Sequence, residues 1–181
     1  MLRPPPPTPA WIADRARVDT WPAGLRICRA HSHVFGSTQF DRRRASPARF
    51  SPLTLGRSLV PVLYGGEDDH AAASETIFHT VDRAGSSVRP RNVMLGKFTT
   101  WHWSTMVTTR PFRLVKLDGD GLRRLDVPRE DLIEGGRATY PTTRPWAAAL
   151  AGALGDVDGL WWRSRQDPDR WAVVLFGATR V

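Results

Sequence analysis

Apolar and basic residues alternate along Leu25-Arg-Ile-Cys-Arg-Ala, a period of two that predicts a strand. Leu59-Val-Pro-Val-Leu-Tyr64 is a β-branched apolar run stopped by Gly65-Gly66; it predicts a second strand, with Pro61 marking an edge or a bulge. The period changes after the acidic turn Glu67-Asp-Asp. Residues 70–81 are alanine-rich, with Ala71, Ser74, Phe78 and Val81 at helical spacing, and predict a helix. Residues 98–107 alternate Thr, Trp and His, and residues 112–117 resume an apolar pattern after Arg110-Pro111; both predict strands. Residues 128–133 predict one or two helical turns ended by Gly135-Gly136. Thr142-Thr-Arg-Pro-Trp runs into the apolar stretch 147–154, a helix with a threonine N-cap candidate, proline in its first turn and Gly155 beyond its end. Residues 159–165 and 171–176 predict a strand pair around the turn Gln166-Asp-Pro-Asp-Arg170.

The remaining segments are read from composition. Pro4 to Pro7 with Pro9 lack N–H donors, so residues 1–20 predict an extended Pro-rich arm ahead of a folded domain over residues 21–181. Residues 36–58, rich in Gly, Ser, Pro and Arg, predict a long surface loop. Together these elements predict an α/β fold of the α+β type, a single compact domain with mixed or antiparallel sheets and flanking helices. Strand, Gly-Gly turn and helix in succession bring Tyr64 and Glu75 toward one end of a sheet, where such folds place ligands.

Hydrophobic residues make up 41% and charged residues 24% of the 181, values that exclude wholesale disorder. No run approaches the roughly 18 apolar residues of a membrane span, and MLRPPPPTPAW lacks the apolar core of a secretory signal, so a cytoplasmic protein without a membrane segment is expected. The single cysteine, Cys28, excludes an internal disulfide and any multi-cysteine zinc site. The net charge of +8 is unevenly distributed. Residues 1–66 hold ten arginines against three acids, a balance of +7, whereas the remainder has sixteen basic and fifteen acidic residues, a balance of +1. Such a basic third suits either nucleic acid or a small phosphorylated ligand.

His31-x-His33 offers two metal ligands where a site needs three or four, so a structural or solvated pair is expected, and no metal. Trp101-His-Trp103 has the composition of a stacking platform, but alternation buries one face of a strand and core packing is expected. Arg42-Arg-Arg44 comes with no helix-turn-helix, zinc-finger or RNA-binding signature, so no direct nucleic-acid binding is expected. A dispersed series, Arg29, Arg49, Tyr64, Glu75 and Ser164-Arg165, falls at predicted strand ends and helix starts. Each has a structural explanation singly; their shared placement makes them candidates. Which of Arg26 and Arg29 faces inward stays open, because a one-residue slip changes the face a strand presents.

From about Leu25 to Phe176 the chain resembles the RES-domain proteins, the toxin halves of Xre-RES toxin–antitoxin pairs, whose fold is similar to that of the diphtheria-toxin-like ADP-ribosyltransferases. The matching features are Leu25-Arg-Ile-Cys-Arg29, Ala48-Arg49-Phe50, Val62-Leu63-Tyr64, Ala72-Ala-Ser-Glu75, the strand from Arg113 to Asp118, Thr143 to Ala147, and Asp158 to Arg165. Ala48-Arg49-Phe50-Ser51 departs from the commoner Gly-Arg-Trp-Asn, and Trp161-Trp162 stands where smaller or tyrosine-containing sequences are usual.

The resemblance implies an enzyme that consumes NAD at the nicotinamide–ribose bond, with phosphate or water as acceptor; the alternative is a protein ADP-ribosyltransferase with the same site. It implies catalytic roles for Arg29, Tyr64, Glu75 and Ser164 and substrate-binding roles for Arg49, Phe50 and Arg165. Glu75 would stabilise an oxocarbenium-like ribose, and Arg29 and Arg49 would meet the pyrophosphate. Tyr64 would stack on the nicotinamide ring or ribose, and Ser164 would hydrogen-bond the ribose or carboxamide. The glycine-rich dinucleotide fingerprint is absent, so NAD is expected as a consumed substrate rather than a cofactor, with inorganic phosphate as a co-substrate. A cognate Xre-type antitoxin covering the site, in an oligomeric complex, is the implied partner.

Overall fold

The computed structural model describes residues 8–42, 47–76, 96 and 99–177. Its strands are β1 (Val18–Trp21), β2 (Arg26–Ser32), β3 (Leu53–Leu55), β4 (Ser58–Val60), β5 (Val62–Gly66), β6 (Trp101–Val107), β7 (Phe112–Lys116), β8 (Gly159–Arg163) and β9 (Trp171–Phe176). Its helices are α1 (Pro9–Arg15), α2 (Asp69–Thr76), α3 (Gly119–Arg124) and α4 (Tyr140–Ala153). Seven strands form one mixed sheet in the order β1-β7-β8-β9-β5-β2-β6, and β3 pairs with β4 apart from it. Only β7 and β8 run parallel; the other neighbours are antiparallel.

Both faces of the sheet are apolar around β8 and β9, which explains the unbroken apolar runs of those strands. On one face Leu160, Trp162, Ala172 and Val174 join Ile12 of α1, Leu122 of α3 and Leu150 of α4 in the larger core. On the other face Trp161, Val173 and Leu175 form a smaller core with Ile27, Leu63 and Leu114, flanked by Trp21, Phe112 and Trp171. Asp118 starts α3 by accepting the Asp120 and Gly121 N–H groups, the usual way a carboxylate satisfies donors at a helix start. Between α3 and α4 lie a π-type turn, Glu130–Glu134, and a 3-10 turn, Arg137–Thr139.

Several expectations are corrected. Residues 9–20 are not an extended arm: Pro9 begins α1, where a missing N–H costs nothing, Ile12 is buried at 1% exposure, and β1 pairs with β7. Residues 1–7 lie outside the described residues. The expected loop 36–58 contains β3, anchored by fully buried Leu53 and turned by Gly56 at φ +58°. The run 59–64 splits at Pro61 into β4 and β5, because proline brings no N–H to a ladder. α4 starts at Tyr140, so Thr142 and Thr143 lie inside it and cap nothing. Trp103 is half exposed on β6 rather than packed in the core, since β6 ends the sheet order. The end of the helix expected over 70–81, with Phe78 and Val81, lies outside the described residues, as do Arg43 and Arg44.

Candidate active site

The site originates in one weak joint of the sheet. β2 and β6 share seven register positions and β5 and β9 share five, but β2 and β5 meet only at Cys28 opposite Gly66. The Gly65-Gly66 pair allows that approach: a Cβ at Gly65 would lie 2.5 Å from Ile27 Cγ2, and one at Gly66 would lie 2.6 Å from Ala71 Cβ. Past this joint β2 and β5 share no ladder. Their facing residues, Arg29 and His31 on one side and Val62 and Tyr64 on the other, line a cleft of about 510 Å³. The backbone of Val62, left without β2, exchanges two hydrogen bonds with Asp41, at 2.7 and 3.0 Å.

Arg29 is 6% exposed, and its Nη1 donates to the carbonyls of Gly36, Ser37 and Gln39 at 3.2, 2.7 and 2.9 Å. Burial lowers its pKa, and Asp41 works against that. Arg26 is exposed, opposite Val107, so the register settles which arginine faces inward. Arg49, 8% exposed, lines the cleft; its Nη1 donates to the Leu132 carbonyl at 3.1 Å, and its guanidinium lies 5.8 Å from the centre of the Tyr140 ring. Burial lowers its pKa as well, and Glu75 is the foremost group opposing it. Thr143 Oγ1 donates to the Arg49 carbonyl, fixing the loop from α4.

The Tyr64 hydroxyl accepts the Phe50 N–H at 3.0 Å and donates to Ser51 Oγ at 3.4 Å, and burial drives its pKa up to about 12. It is therefore a neutral group that shapes the 49–51 turn. Glu75 reaches the cleft from α2, and one carboxylate oxygen accepts the Arg165 N–H at 3.4 Å. Two buried guanidinium groups, a carboxylate and a neutral phenol thus converge on one cavity, a composition suited to an anionic ligand with a centre of developing positive charge.

The family model of the RES domain matches residues 25–181. The chain belongs to the RES-domain family. In fold this RES domain is similar to a chain from the crystal structure of the M. tuberculosis MbcT–MbcA toxin–antitoxin complex, with a TM-score of 0.64 at 10% identity, covering 93% of this chain and 80% of that one. No curated protein matches the sequence.

Within this RES domain, four of the expected residues, Arg29, Arg49, Tyr64 and Glu75, line the one cleft. Phe50 does not: it is 0% exposed and packs edge-on against Trp162 at 5.2 Å. Its expected substrate-binding role is corrected to a core role, because the aromatic of the Arg-Phe step points under the turn while its N–H meets Tyr64. Ser164 is also fully buried and is absent from the cleft lining; its Oγ accepts the Gln166 N–H at 3.3 Å. Arg165 contributes its backbone N–H to Glu75. Direct contact of Ser164 with a ligand is thereby replaced by a place at the turn that supports Glu75.

Residues not anticipated also line the cleft, notably His31, Tyr140, Arg137 and Trp101. His31 stands two positions after Arg29, so period-two alternation puts both on one face, a signal present in the sequence. Its Nδ1 lies 3.1 Å from the Ser32 carbonyl, which only accepts, so Nδ1 donates there, and its Nε2 lies 2.8 Å from Ser104 Oγ. Tyr140 follows no local pattern. Among the described residues no group of three or more His, Cys, Asp or Glu could hold a metal ion, and no helix is long and apolar enough to cross a membrane.

Proposed function

We propose that this RES domain splits NAD at the nicotinamide–ribose bond, with phosphate or water as acceptor, and that it serves as the toxin of a toxin–antitoxin pair. The observation that carries this reading is the convergence of Arg29, Arg49, Tyr64 and Glu75 on one cleft. The N-glycosidic electron pair departs with nicotinamide, neutralising its pyridinium charge, while positive charge grows on the ribose. Glu75 stabilises that charge, and an acceptor oxygen then bonds the anomeric carbon, water releasing one proton to solvent and phosphate adding as its anion. Arg49 and Arg29 supply permanent positive charge for the diphosphate. Arg29 also holds the 36–39 carbonyls, so it shapes the cleft mouth as well as charging it. Tyr64, neutral through the physiological range, holds the turn that carries Arg49.

The toxin role is supported by family membership and by the likeness in fold to a chain of a toxin–antitoxin complex. The partner proposed is an Xre-type antitoxin that covers the cleft. Chromatography of NAD incubated with purified protein, with and without phosphate, tests the reading. Nicotinamide with ADP-ribose-1″-phosphate identifies phosphorolysis, and nicotinamide with ADP-ribose identifies hydrolysis. ADP-ribosylated protein identifies the alternative, transfer to a protein acceptor. Intact NAD in every arm overturns the proposal.

A further inference from the structure

We propose that Arg170 and Asp68 form a clamp that positions Glu75, making the β8–β9 turn a remote determinant of the cleft's reactivity. Helix α2 is seated by Ala71 and Ala72, which are buried in its first turn, Ala71 in close approach to Gly66. Glu75 stands further along, where the described residues of α2 bury no side chain. Polar ties run from Asp68, ahead of α2, and from Glu75 to one turn. At the start, Asp68 Oδ1 accepts the Ala71 N–H at 2.9 Å while Oδ2 pairs with Arg170 Nη1. At the end, Glu75 accepts the Arg165 N–H.

The turn between these two points is itself braced. Arg170 Nε meets Asp167 at 2.8 Å, and the Arg170 carbonyl accepts the Ser164 N–H at 2.8 Å. Next to it, the Glu67 N–H donates to the Trp171 carbonyl at 3.1 Å, and the Trp171 N–H donates to the Glu67 carboxylate at 3.2 Å. Burial raises the Asp68 pKa, but the Ala71 N–H and Arg170 outweigh it and hold the carboxyl below its ordinary value, so the pair is charged at neutral pH. Arg170 and Asp68 keep side-chain exposures of 31% and 42%, so their pairing adds little to global stability. Its consequence is geometric: releasing Arg170 lets the 164–170 turn shift against α2 and loosens the Glu75 carboxylate from the Arg165 amide.

The kinetic arm of the test rests on the NAD-splitting reading. Arg170→Met is expected to lower kcat about tenfold to a hundredfold with KM and melting temperature little changed, the scale of a misplacement of about 1 Å. Arg170→Lys and Asp68→Asn, which keep part of the clamp, fall between. In a Glu75→Ala background Arg170→Met adds no further loss, because it acts through Glu75. Additive losses, a change confined to KM, or a fall in stability without a fall in kcat overturns the clamp. Amide hydrogen exchange separates the two proposals, since it needs no turnover. The Arg165 amide is expected to be protected in the wild type and to lose protection in both Glu75→Ala and Arg170→Met. Unchanged protection in Arg170→Met overturns the clamp, whereas wild-type protein that leaves NAD intact overturns the reading.

Discussion

The sheet has two parts that differ in how they are joined. From β1 through β7, β8 and β9 to β5, neighbouring strands share four, three, five and five register positions, and apolar side chains pack both faces. Among the described residues the β2–β6 pair shares one register position with that body, Cys28 opposite Gly66, while Ile27 packs into the smaller core. The continuous part has its backbone groups satisfied by ladders and can bury almost pure hydrocarbon. At the joint, Val62 of β5 pairs its backbone with Asp41 instead of β2, and polar residues collect there. The buried apolar core and the polar cleft to which we assign the chemistry therefore lie in different parts of one sheet.

Substitutions can break this contrast or sharpen it. The largest effect on stability is expected from Phe50→Ala, which empties a fully buried site against Trp162 in the main core. A loss of about 3–5 kcal/mol in urea denaturation is expected. A loss below about 1 kcal/mol accompanied by a raised KM for NAD would return Phe50 to the ligand site. Gly66→Ala acts at the joint. Its new Cβ would stand 2.6 Å from Ala71 Cβ and 2.9 Å from the Ala71 carbonyl carbon, so α2 must shift. A cost of about 1–3 kcal/mol in stability is expected, together with a fall in turnover out of proportion to it. Full activity in Gly66→Ala would show that the close approach at the joint is dispensable.

The smallest effect is on alkaline behaviour. Tyr64 and Tyr140 are the chain's two tyrosines, and burial raises the pKa of both, that of Tyr64 to about 12. A phenol whose folded pKa lies above its unfolded value of 10.0 contributes stability that is fully present below pH 10 and is lost as pH rises toward 12. Phenolate absorbance is therefore expected to be well below half its full amplitude in the folded protein at pH 10, and Tyr64→Phe is expected to soften the alkaline loss of stability. A phenolate signal near half its full amplitude at pH 10, with the fold retained, would mean that neither hydroxyl is held by the cleft.

The continuous part of the sheet was the more legible from sequence. β7, β8, β9 and the body of α4 follow from local apolar runs and from turns with strong punctuation, such as Gln166 to Arg170. The segments that depend on distant partners were not legible. α1 is held by the burial of Ile12 among core side chains far along the chain, and β1 by its pairing with β7; neither has a local signature beyond prolines that suggest an arm. β3 lies inside a stretch whose composition is that of a loop. Trp103 departs from the expected core packing because alternation tells that two faces differ and does not tell which one meets solvent. At the site, Arg29, Arg49, Tyr64 and Glu75 stand out by their placement at strand ends and helix starts and by family resemblance, but their convergence requires the joint. Phe50 and Ser164 show the limit of a motif: it names a neighbourhood, while packing decides which side chains face the ligand.

Nicotinamide release from NAD by Glu75→Ala, measured beside the wild type at equal folded fraction, tests the assignment of chemistry to the joint most directly. The expected result is a fall on the order of 10²–10³-fold with the melting temperature unchanged. Release at the wild-type rate would contradict the role of Glu75 and, with it, the placement of catalysis in the cleft between β2 and β5.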